Sequence, residues 1–109
     1  MMRSVETILA AIQRIPAVNL EIDEGRAHAG VQVGGRRVAR VDLRDGRVVV
    51  YAPADTIPAL QRVFPASHPT ADGIVFDALD AENCREALAA IDRRVQVERL
   101  VPQFRVASP

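Results

Sequence analysis

The sequence predicts an α+β domain in which helices cover one face of a twisted antiparallel sheet. Residues 18 to 52 contain four short runs in which apolar and polar residues alternate, as in strands with one buried face. Turns that contain glycine separate these runs, so consecutive strands are expected to pair as antiparallel neighbours. Helical patterns precede and follow the runs, and such segregation of strands from helices is typical of α+β folds.

The first predicted element is a helix over residues 5 to 15. Ser4 is a favourable N-cap residue, and apolar residues recur after it at helical spacing. Glu6 in the first turn and Arg14 in the last turn have the charges that the helix dipole favours. Pro16 is expected to end the helix.

The next two predicted strands cover residues 18 to 23 and roughly 27 to 33, and the turn that follows them has two interpretations. A two-residue turn at Gly34-Gly35 would place Val31 opposite Val38 and point the valines of this strand away from the core. A three-residue turn with a bulge places Val31 opposite Ala39 and keeps the apolar residues together. We therefore expect the three-residue turn.

Asp45-Gly46 is the strongest hairpin signal in the chain, because both central residues of a type I′ turn need positive φ. A two-residue turn at this point pairs Val41 with Val50. The core face of these strands then carries Ala39, Val41, Leu43, Val48, Val50 and Ala52.

The second half of the chain predicts a short helix, a strand and a last helix. The short helix begins after Asp55 or Thr56, carries an inward stripe and ends before Pro65. Its stripe consists of Ile57, Leu60, Val63 and Phe64. Residues 66 to 73 are expected to form an irregular loop, and residues 74 to 79 a fifth strand.

The last helix is predicted to begin after Asp80 and to end between Arg93 and Arg99, with an irregular tail from about residue 102. Its core stripe consists of Cys84, Ala87, Leu88, Ile91 and Val95. The predicted order is therefore α-β-β-β-β-α-β-α, in a single domain over residues 1–109.

Composition limits the classes of function. A chain of 109 residues that is 49% hydrophobic is long enough for one core without disulfides. Fourteen acids and fourteen bases give a formal net charge of zero, so no overall field attracts nucleic acid or membranes. All the bases are arginine, which is typical of a GC-rich genome. Tryptophan is absent and aromatic residues make up 4%, which disfavours a stacking surface for single-stranded nucleic acid.

The single cysteine, Cys84, excludes an internal disulfide and suits a reducing compartment. The sequence has no signal-peptide or membrane-span pattern, so a cytoplasmic protein without membrane contact is expected. Cys84 lies on a predicted core stripe, and its spacing from His68 and Asp72 does not indicate a catalytic arrangement. We predict no catalytic residue.

Metal and cofactor binding are not predicted either. Two histidines and one cysteine on different elements do not provide the three or four converging ligands of a zinc site. Gly34-Gly35 precedes a strand rather than a helix, so it does not form a phosphate-binding loop.

The outward face of the central strands is the best candidate binding surface. The predicted pairing places His28, Arg40, Asp42, Arg44, Arg47 and Tyr51 on this face. Guanidinium groups on a rigid sheet bind phosphate or carboxylate well. A purely structural interpretation pairs Arg40 with Tyr51 by a cation–π contact and His28 with Asp42 by a cross-strand ion pair. Val49 and Tyr51 on the same face indicate a third possibility, that this face is a homodimer interface.

A second candidate site is the loop of residues 66 to 73, where Ser67, His68 and Asp72 offer polar groups for a small ligand. A loop rich in Pro, Asp and Gly is also what a helix-to-strand connection requires.

Several segments resemble the small family of luciferase-like domain proteins. Residues 12 to 18 (IQRIPAV) are similar to its helix-ending segment, and residues 30 to 41 (GVQVGGRRVARV) to its strand–turn–strand unit. Residues 72 to 79 and 80 to 91 resemble its last strand and helix. The chain departs from the family at three positions: Arg40 and Asp42 stand where its paired histidines are usual, and Ile74 where its tryptophan is usual. The resemblance implies an α+β fold, and these departures argue against a metal at this face.

Residues 60 to 90 also look similar to the MmcQ/YjbR-type fold, which implies DNA binding. Three hypotheses of function follow. The leading one is a non-enzymatic binding or protein-interaction module that uses the open sheet face, for self-association, a protein partner or a small anionic ligand. The second is a small enzyme or ligand-binding domain with its site near residues 66–73. The third is nucleic-acid binding, against which the neutral charge counts.

Overall fold

The helices and strands of the protein form an α+β fold, the class that the sequence predicts. The computed structural model of the chain describes residues 2–77 and 80–107, with side chains described for 5–77 and 80–99. Its helices are α1 (Met2–Gln13), α2 (Ile57–Val63) and α3 (Ala81–Ala107). Its strands are β1 (Val18–Asp23), β2 (His28–Val33), β3 (Arg36–Asp42), β4 (Val48–Tyr51), β5 (His68–Thr70) and β6 (Gly73–Phe76).

These strands form one antiparallel sheet in the order β1-β2-β3-β4-β6-β5. The helices cover one face of it, here called the inner face, and the opposite face is the outer face. The α+β prediction is confirmed.

The hydrophobic core lies between the inner face and the helices. Its fully buried side chains include Ile8, Ile12, Val31, Val41, Val48, Ile74, Phe76, Ile91 and Val95. Phe64, which follows α2, packs edge-on against Phe76 with the ring centroids 6.1 Å apart. The prediction that Val63 points inward is wrong, because this side chain is 51% exposed. Val63 lies about 120° around the helix axis from the buried Ile57.

Helix α1 is confirmed as an element, but its ends differ from the prediction. It begins at Met2 and ends at Gln13, so Ser4 lies inside the helix and Arg14 lies beyond it. The buried residues Val5, Ile8 and Ile12 hold one face of α1 against the core. Packing of this face decides the extent of the helix more than capping does.

The turn between β2 and β3 is shorter than predicted, although the pairing beyond it is correct. Gly34 and Gly35 have φ of 58° and 82°, as the two central residues of a type I′ turn require. The predicted three-residue turn is therefore wrong. The extra residue lies farther along β3, where Val38 is bulged between Arg37 and Ala39. This bulge restores the predicted pairing of Val31 with Ala39 and buries Val38.

The turn between β3 and β4 is longer than predicted. Val41 pairs with Val48 rather than with Val50, a shift of two residues. The shift keeps the same side chains on the inner face, because side chains alternate with a period of two. Side-chain hydrogen bonds close the longer turn: Arg44 N donates to Asp42 Oδ1 at 2.8 Å, and Arg47 N donates to Asp45 Oδ1 at 2.9 Å.

The loop predicted over residues 66–73 contains an additional strand, β5. It pairs with β6 through a tight turn at residues 71 and 72. Gly73 begins β6, and a Cβ atom at this position would lie 2.0 Å from the Val50 carbonyl oxygen. Only glycine fits so close to β4. Strand β6 ends at Phe76, and the end of the strand predicted at Leu79 lies outside the described residues.

Helix α3 extends to Ala107, so the predicted end between Arg93 and Arg99 and the irregular tail are wrong. The buried stripe of this helix continues past Arg93 through Val95, which is fully buried, and Glu98, which is 7% exposed. The predicted core stripe is otherwise confirmed. Ala87 and Ile91 are buried, and Cys84 and Leu88 pack against the core.

Candidate anion-binding depression on the outer face

A row of paired residues crosses the outer face of the sheet. Strand pairing aligns Glu21, Gly30, Arg40, Val49, Val75 and His68, one from each of the six strands. Directly paired residues point to the same face. The row therefore brings Arg40, from the predicted outward face, into line with His68, from the predicted loop.

The half of this row that runs from β3 to β5 lies in a surface depression of about 530 Å³. Its lining consists of Arg40, Arg47, Val49, His68, Thr70, Val75 and Asp77. Val49 and Val75 lie between the two basic ends of the row and form an apolar floor. Val49 is only 8% exposed although it faces outward.

Arg40 is the strongest cationic group of the depression. Its guanidinium forms no ion pair or side-chain hydrogen bond with any described residue, and its side chain is half-buried. A partly desolvated guanidinium attracts an anion more strongly than an exposed one. Arg47 at the margin is already close to a carboxylate, since its Nη2 lies 4.0 Å from Asp45 Oδ2.

The other half of the row is neutralised within the protein. Arg37 Nη2 lies 3.6 Å from Glu21 Oε1. The Arg37 guanidinium passes over Gly30, where a Cβ atom would lie 2.8 Å from Arg37 Nε. The missing side chain at Gly30 leaves room for this ion pair, so the uncompensated charge of the row lies at Arg40.

The one carboxylate among the described lining residues of the depression lies to one side of the row. Thr70 and Tyr51 both pair with Gly73, which places them on one side of the row. Arg47 and Asp77 lie on the other side of the row. Asp77 follows directly after β6, where its backbone carbonyl accepts a hydrogen bond from Asn83 Nδ2. An anion is therefore favoured toward Arg40, His68 and Thr70 and repelled from the Asp77 end.

Four predicted residues of the outward face do not line the depression. His28 pairs with Asp42, as predicted, but the carboxylate of Asp42 accepts from the Arg44 amide, and the described residues show no His28–Asp42 ion pair. Arg44 lies exposed in the turn after β3. The Arg40–Tyr51 pair is wrong, because Arg40 lies opposite Val49 and Tyr51 lies opposite Gly73.

Of the residues predicted in the loop of residues 66 to 73, some line the depression and others do not. Ser67 is 5% exposed, and its hydroxyl donates to the Phe64 carbonyl at 2.6 Å, so it closes the turn after α2. Asp72 is exposed in the β5–β6 turn, where its carbonyl accepts from the Ala52 amide at 2.9 Å. Of the three, His68 alone lines the depression.

Cys84 lies in another part of the molecule, on α3 and against the core. Burial, together with the negative charge of Asp80, raises the pKa of its thiol above the ordinary value of 9.0. The raised pKa disfavours the thiolate that a nucleophile needs.

The sequence prediction missed Thr70, Val75 and Asp77 as site residues because it missed β5. One signal was available: Asp72-Gly73 is a turn dipeptide between short segments that contain the strand-favouring residues Thr70 and Ile74.

In the part of the chain that the structure describes, no three His, Cys, Asp or Glu side chains lie close enough together to hold a metal ion. None of the helices formed by these residues is long and apolar enough to cross a membrane. Comparisons of the chain with protein-family models, curated proteins and solved structures found no match. The resemblances to the luciferase-like and MmcQ/YjbR-type proteins thus stay predictions.

Proposed function

We propose that the protein is a binding module for a small organic anion, which it holds in the depression on the outer face. The observation that carries this proposal is the position of Arg40, a half-buried guanidinium without an ion-pair partner among the described residues, in one row with His68. Guanidinium and imidazole groups are both suited to phosphate and carboxylate recognition.

The spacing of the row indicates the kind of anion. Arg40 and His68 are three strands apart, which is roughly 14 Å between their backbones. Val49 and Val75 occupy the interval. A ligand that combines an anionic group with an apolar portion matches this arrangement better than inorganic phosphate does, because its apolar portion covers the two valines.

The same geometry favours an anion over a hydrophobic protein partner at this face. The large hydrophobic side chains that are exposed in the described structure are Ile22, Val63 and Val97. Val63 and Val97 lie on helices, and Ile22 alternates with the outward Glu21 and so points to the inner side of β1. Val49, which the sequence predicts as part of a dimer interface, lies on the floor of the depression, where a small ligand reaches it more readily than a flat protein surface does.

Phenyl phosphate is a suitable probe, since it carries a phosphate and an apolar ring. In an NMR titration we expect it to shift the methyl signals of Val49 and Val75, while those of Val50 and Ile74 on the inner face stay unchanged. The Arg40→Gln change is expected to weaken binding about tenfold, because it removes a charge-assisted interaction. The Asp77→Asn change is expected to tighten binding a few-fold by removing a repulsion.

Arg44→Gln is the matched control, because it makes the same chemical change on an exposed arginine outside the depression. Equal weakening by Arg44→Gln and Arg40→Gln would show a general charge effect and contradict the proposal. Absence of shifts at Val49 and Val75 with millimolar phenyl phosphate would also contradict it. Inorganic phosphate and phenol, titrated separately, show how much each half of the probe contributes.

A further inference from the structure

A second cavity lies on the opposite side of the sheet, between the helices. It has a volume of about 310 Å³ and is bounded by the end of β4, by β6, by α2 and by α3. Helix α2 packs on β5 and β6, and α3 packs on β2, β3, β4 and β6. The cavity occupies the gap that these two helices leave above β4 and β6.

The walls of this inner cavity are apolar. Val50 and Ile74 form its floor, and both are nearly completely buried. Leu60 of α2 and Ala90 of α3 form its sides. Ala90 leaves space because its side chain is a single methyl group, so a larger residue at this position would fill part of the cavity.

Positive charge lies at the α3 side of the inner cavity. Arg93 and Arg94 line it, and no carboxylate is among its described lining residues. Arg93 is exposed and forms no ion pair with any described residue. Arg94 Nη2 bonds to Glu98 Oε1 at 2.8 Å, and Arg36 Nη1 lies 3.7 Å from Glu98 Oε2. Two guanidiniums thus share the Glu98 carboxylate, and Arg93 adds a positive charge without a carboxylate partner among the described residues.

Arg94 also has an unsatisfied donor. Its Nε is buried and has no hydrogen-bond acceptor, the one such side-chain atom in the described part of the chain. A buried donor without an acceptor costs free energy. Because Arg94 also lines the cavity, an acceptor that enters the cavity lies near this guanidinium.

We propose that the inner cavity binds a small hydrophobic carboxylate, with its hydrocarbon part on Val50 and Ile74 and its carboxylate toward Arg93 and Arg94. An apolar protein cavity of about 150 Å³ is sufficient for benzene. The inner cavity, at about 310 Å³, is therefore large enough for a short alkyl chain with its carboxylate. The excess of positive charge selects the carboxylate over a neutral hydrocarbon.

Octanoate and octan-1-ol are matched probes, because they share a chain length and differ in charge. In methyl NMR we expect octanoate to shift Val50, Ile74 and Leu60 but not Val49 and Val75. Because Val49 and Val50 are sequential residues on opposite faces of β4, this pattern separates the inner cavity from the outer depression. Octan-1-ol is expected to bind at least fivefold more weakly.

Two variants test the inferred contacts. Arg93→Gln should weaken octanoate binding about fivefold, whereas the control Arg85→Gln, on an exposed part of α3 that does not line the cavity, should leave it unchanged. Ala90→Leu should reduce the binding of both probes by filling the cavity. Arg93 is exposed, so its substitution remains informative even if Ala90→Leu prevents folding.

Several outcomes would overturn the inference. These are the absence of octanoate binding, equal binding of octan-1-ol, equal effects of Arg93→Gln and Arg85→Gln, and loss of octanoate binding in Arg40→Gln. The last result would place octanoate in the outer depression. A dimer that closes the cavity in the absence of ligand, detected by light scattering, would overturn it as well.

Discussion

Cys84 shows how the position of a side chain sets its reactivity. Its sulfur lies on α3 against the core, close to the negative charge of Asp80. Burial and this charge act in the same direction, because each disfavours a second negative charge on the thiolate. The cysteine therefore behaves as a small apolar residue, as the sequence pattern predicts.

The raised pKa of Cys84 has a measurable consequence. In the folded protein, the rate of alkylation by iodoacetamide should continue to rise above pH 9.0, since the thiolate fraction is still small at that pH. In urea the thiol returns to its ordinary pKa, and the rate should level off at lower pH. Asp80→Asn removes the added negative charge and should speed alkylation of the folded protein near pH 8. A plateau in the folded protein below pH 9 would contradict this assignment.

At the scale of the elements, Glu98 explains why α3 is longer than its sequence pattern predicts. Its side chain is 6% exposed and lies one turn beyond Arg94, with which it forms an i,i+4 ion pair. Its second oxygen faces Arg36 at the start of β3. The pair thus connects α3 to the β2–β3 hairpin, and a charged residue at this point continues the buried stripe. A stripe defined by apolar residues alone ends at Val95, so the sequence pattern predicts too short a helix.

Removal of this carboxylate should destabilise the fold. We expect Glu98→Ala to lower the free energy of unfolding by about 1–3 kcal/mol, because it leaves the partly buried Arg94 guanidinium without its hydrogen-bond acceptor. Glu98→Gln keeps an acceptor and should cost less. Glu82→Ala, an exposed glutamate in the first turn of α3, is the control and should change stability by less than about 0.5 kcal/mol. Urea unfolding measures all three, and equal stabilities for Glu98→Ala and the control would contradict this role.

The two turns show how far local sequence predicts pairing. Apolar alternation predicts correctly which residues of β3 and β4 face inward, since any shift by two residues preserves it. It does not distinguish such shifts. The pairing of Val41 with Val48 depends on hydrogen bonds from the carboxylates of Asp42 and Asp45 to the turn backbone. The Asp45-Gly46 dipeptide indicates a turn, but it does not reveal these hydrogen bonds and so does not give the length of the turn.

At the scale of the whole molecule, the candidate depression depends on contacts between distant parts of the chain. Arg40 and His68 are predicted separately as members of two candidate sites, and in the structure both line the same depression. They share one depression because β6 pairs with β4 and carries β5 beside it. This strand order is not encoded in any local pattern, so the sequence provides the residues and the tertiary pairing provides the site.

The two candidate binding surfaces lie on opposite faces of the sheet. Val49 and Val75 face the outer depression, whereas the adjacent residues Val50 and Ile74 face the inner cavity. Both surfaces combine an apolar floor with guanidiniums at the margin. A formal net charge of zero across the chain therefore coexists with two locally positive sites.

Strand order also predicts how stability is distributed across the sheet. Backbone amides of β3 and β4 lie in the centre, beside the fully buried Val38, Val41 and Val48, and should exchange with deuterium at the rate of global unfolding. The edge strand β1 has one paired side, toward β2, and its Ile22 is 54% exposed. Amides of β1 should therefore alternate between slow exchange, where they bond to β2, and fast exchange, where they point away from the sheet.

Exchange measured by NMR at two protein concentrations tests this distribution together with self-association through the β1 edge, a different surface from the predicted interface at Val49 and Tyr51. A monomer should show the same alternation in β1 at both concentrations. If β1 of a second copy pairs with this edge, its outward amides become protected as concentration rises, because each gains an interstrand acceptor. Glu21 and Asp23 on β1 oppose such pairing, since two copies of the strand would bring like charges together. We therefore expect the outward amides to stay fast, and protection that grows with concentration would show instead that the sheet continues into a second molecule.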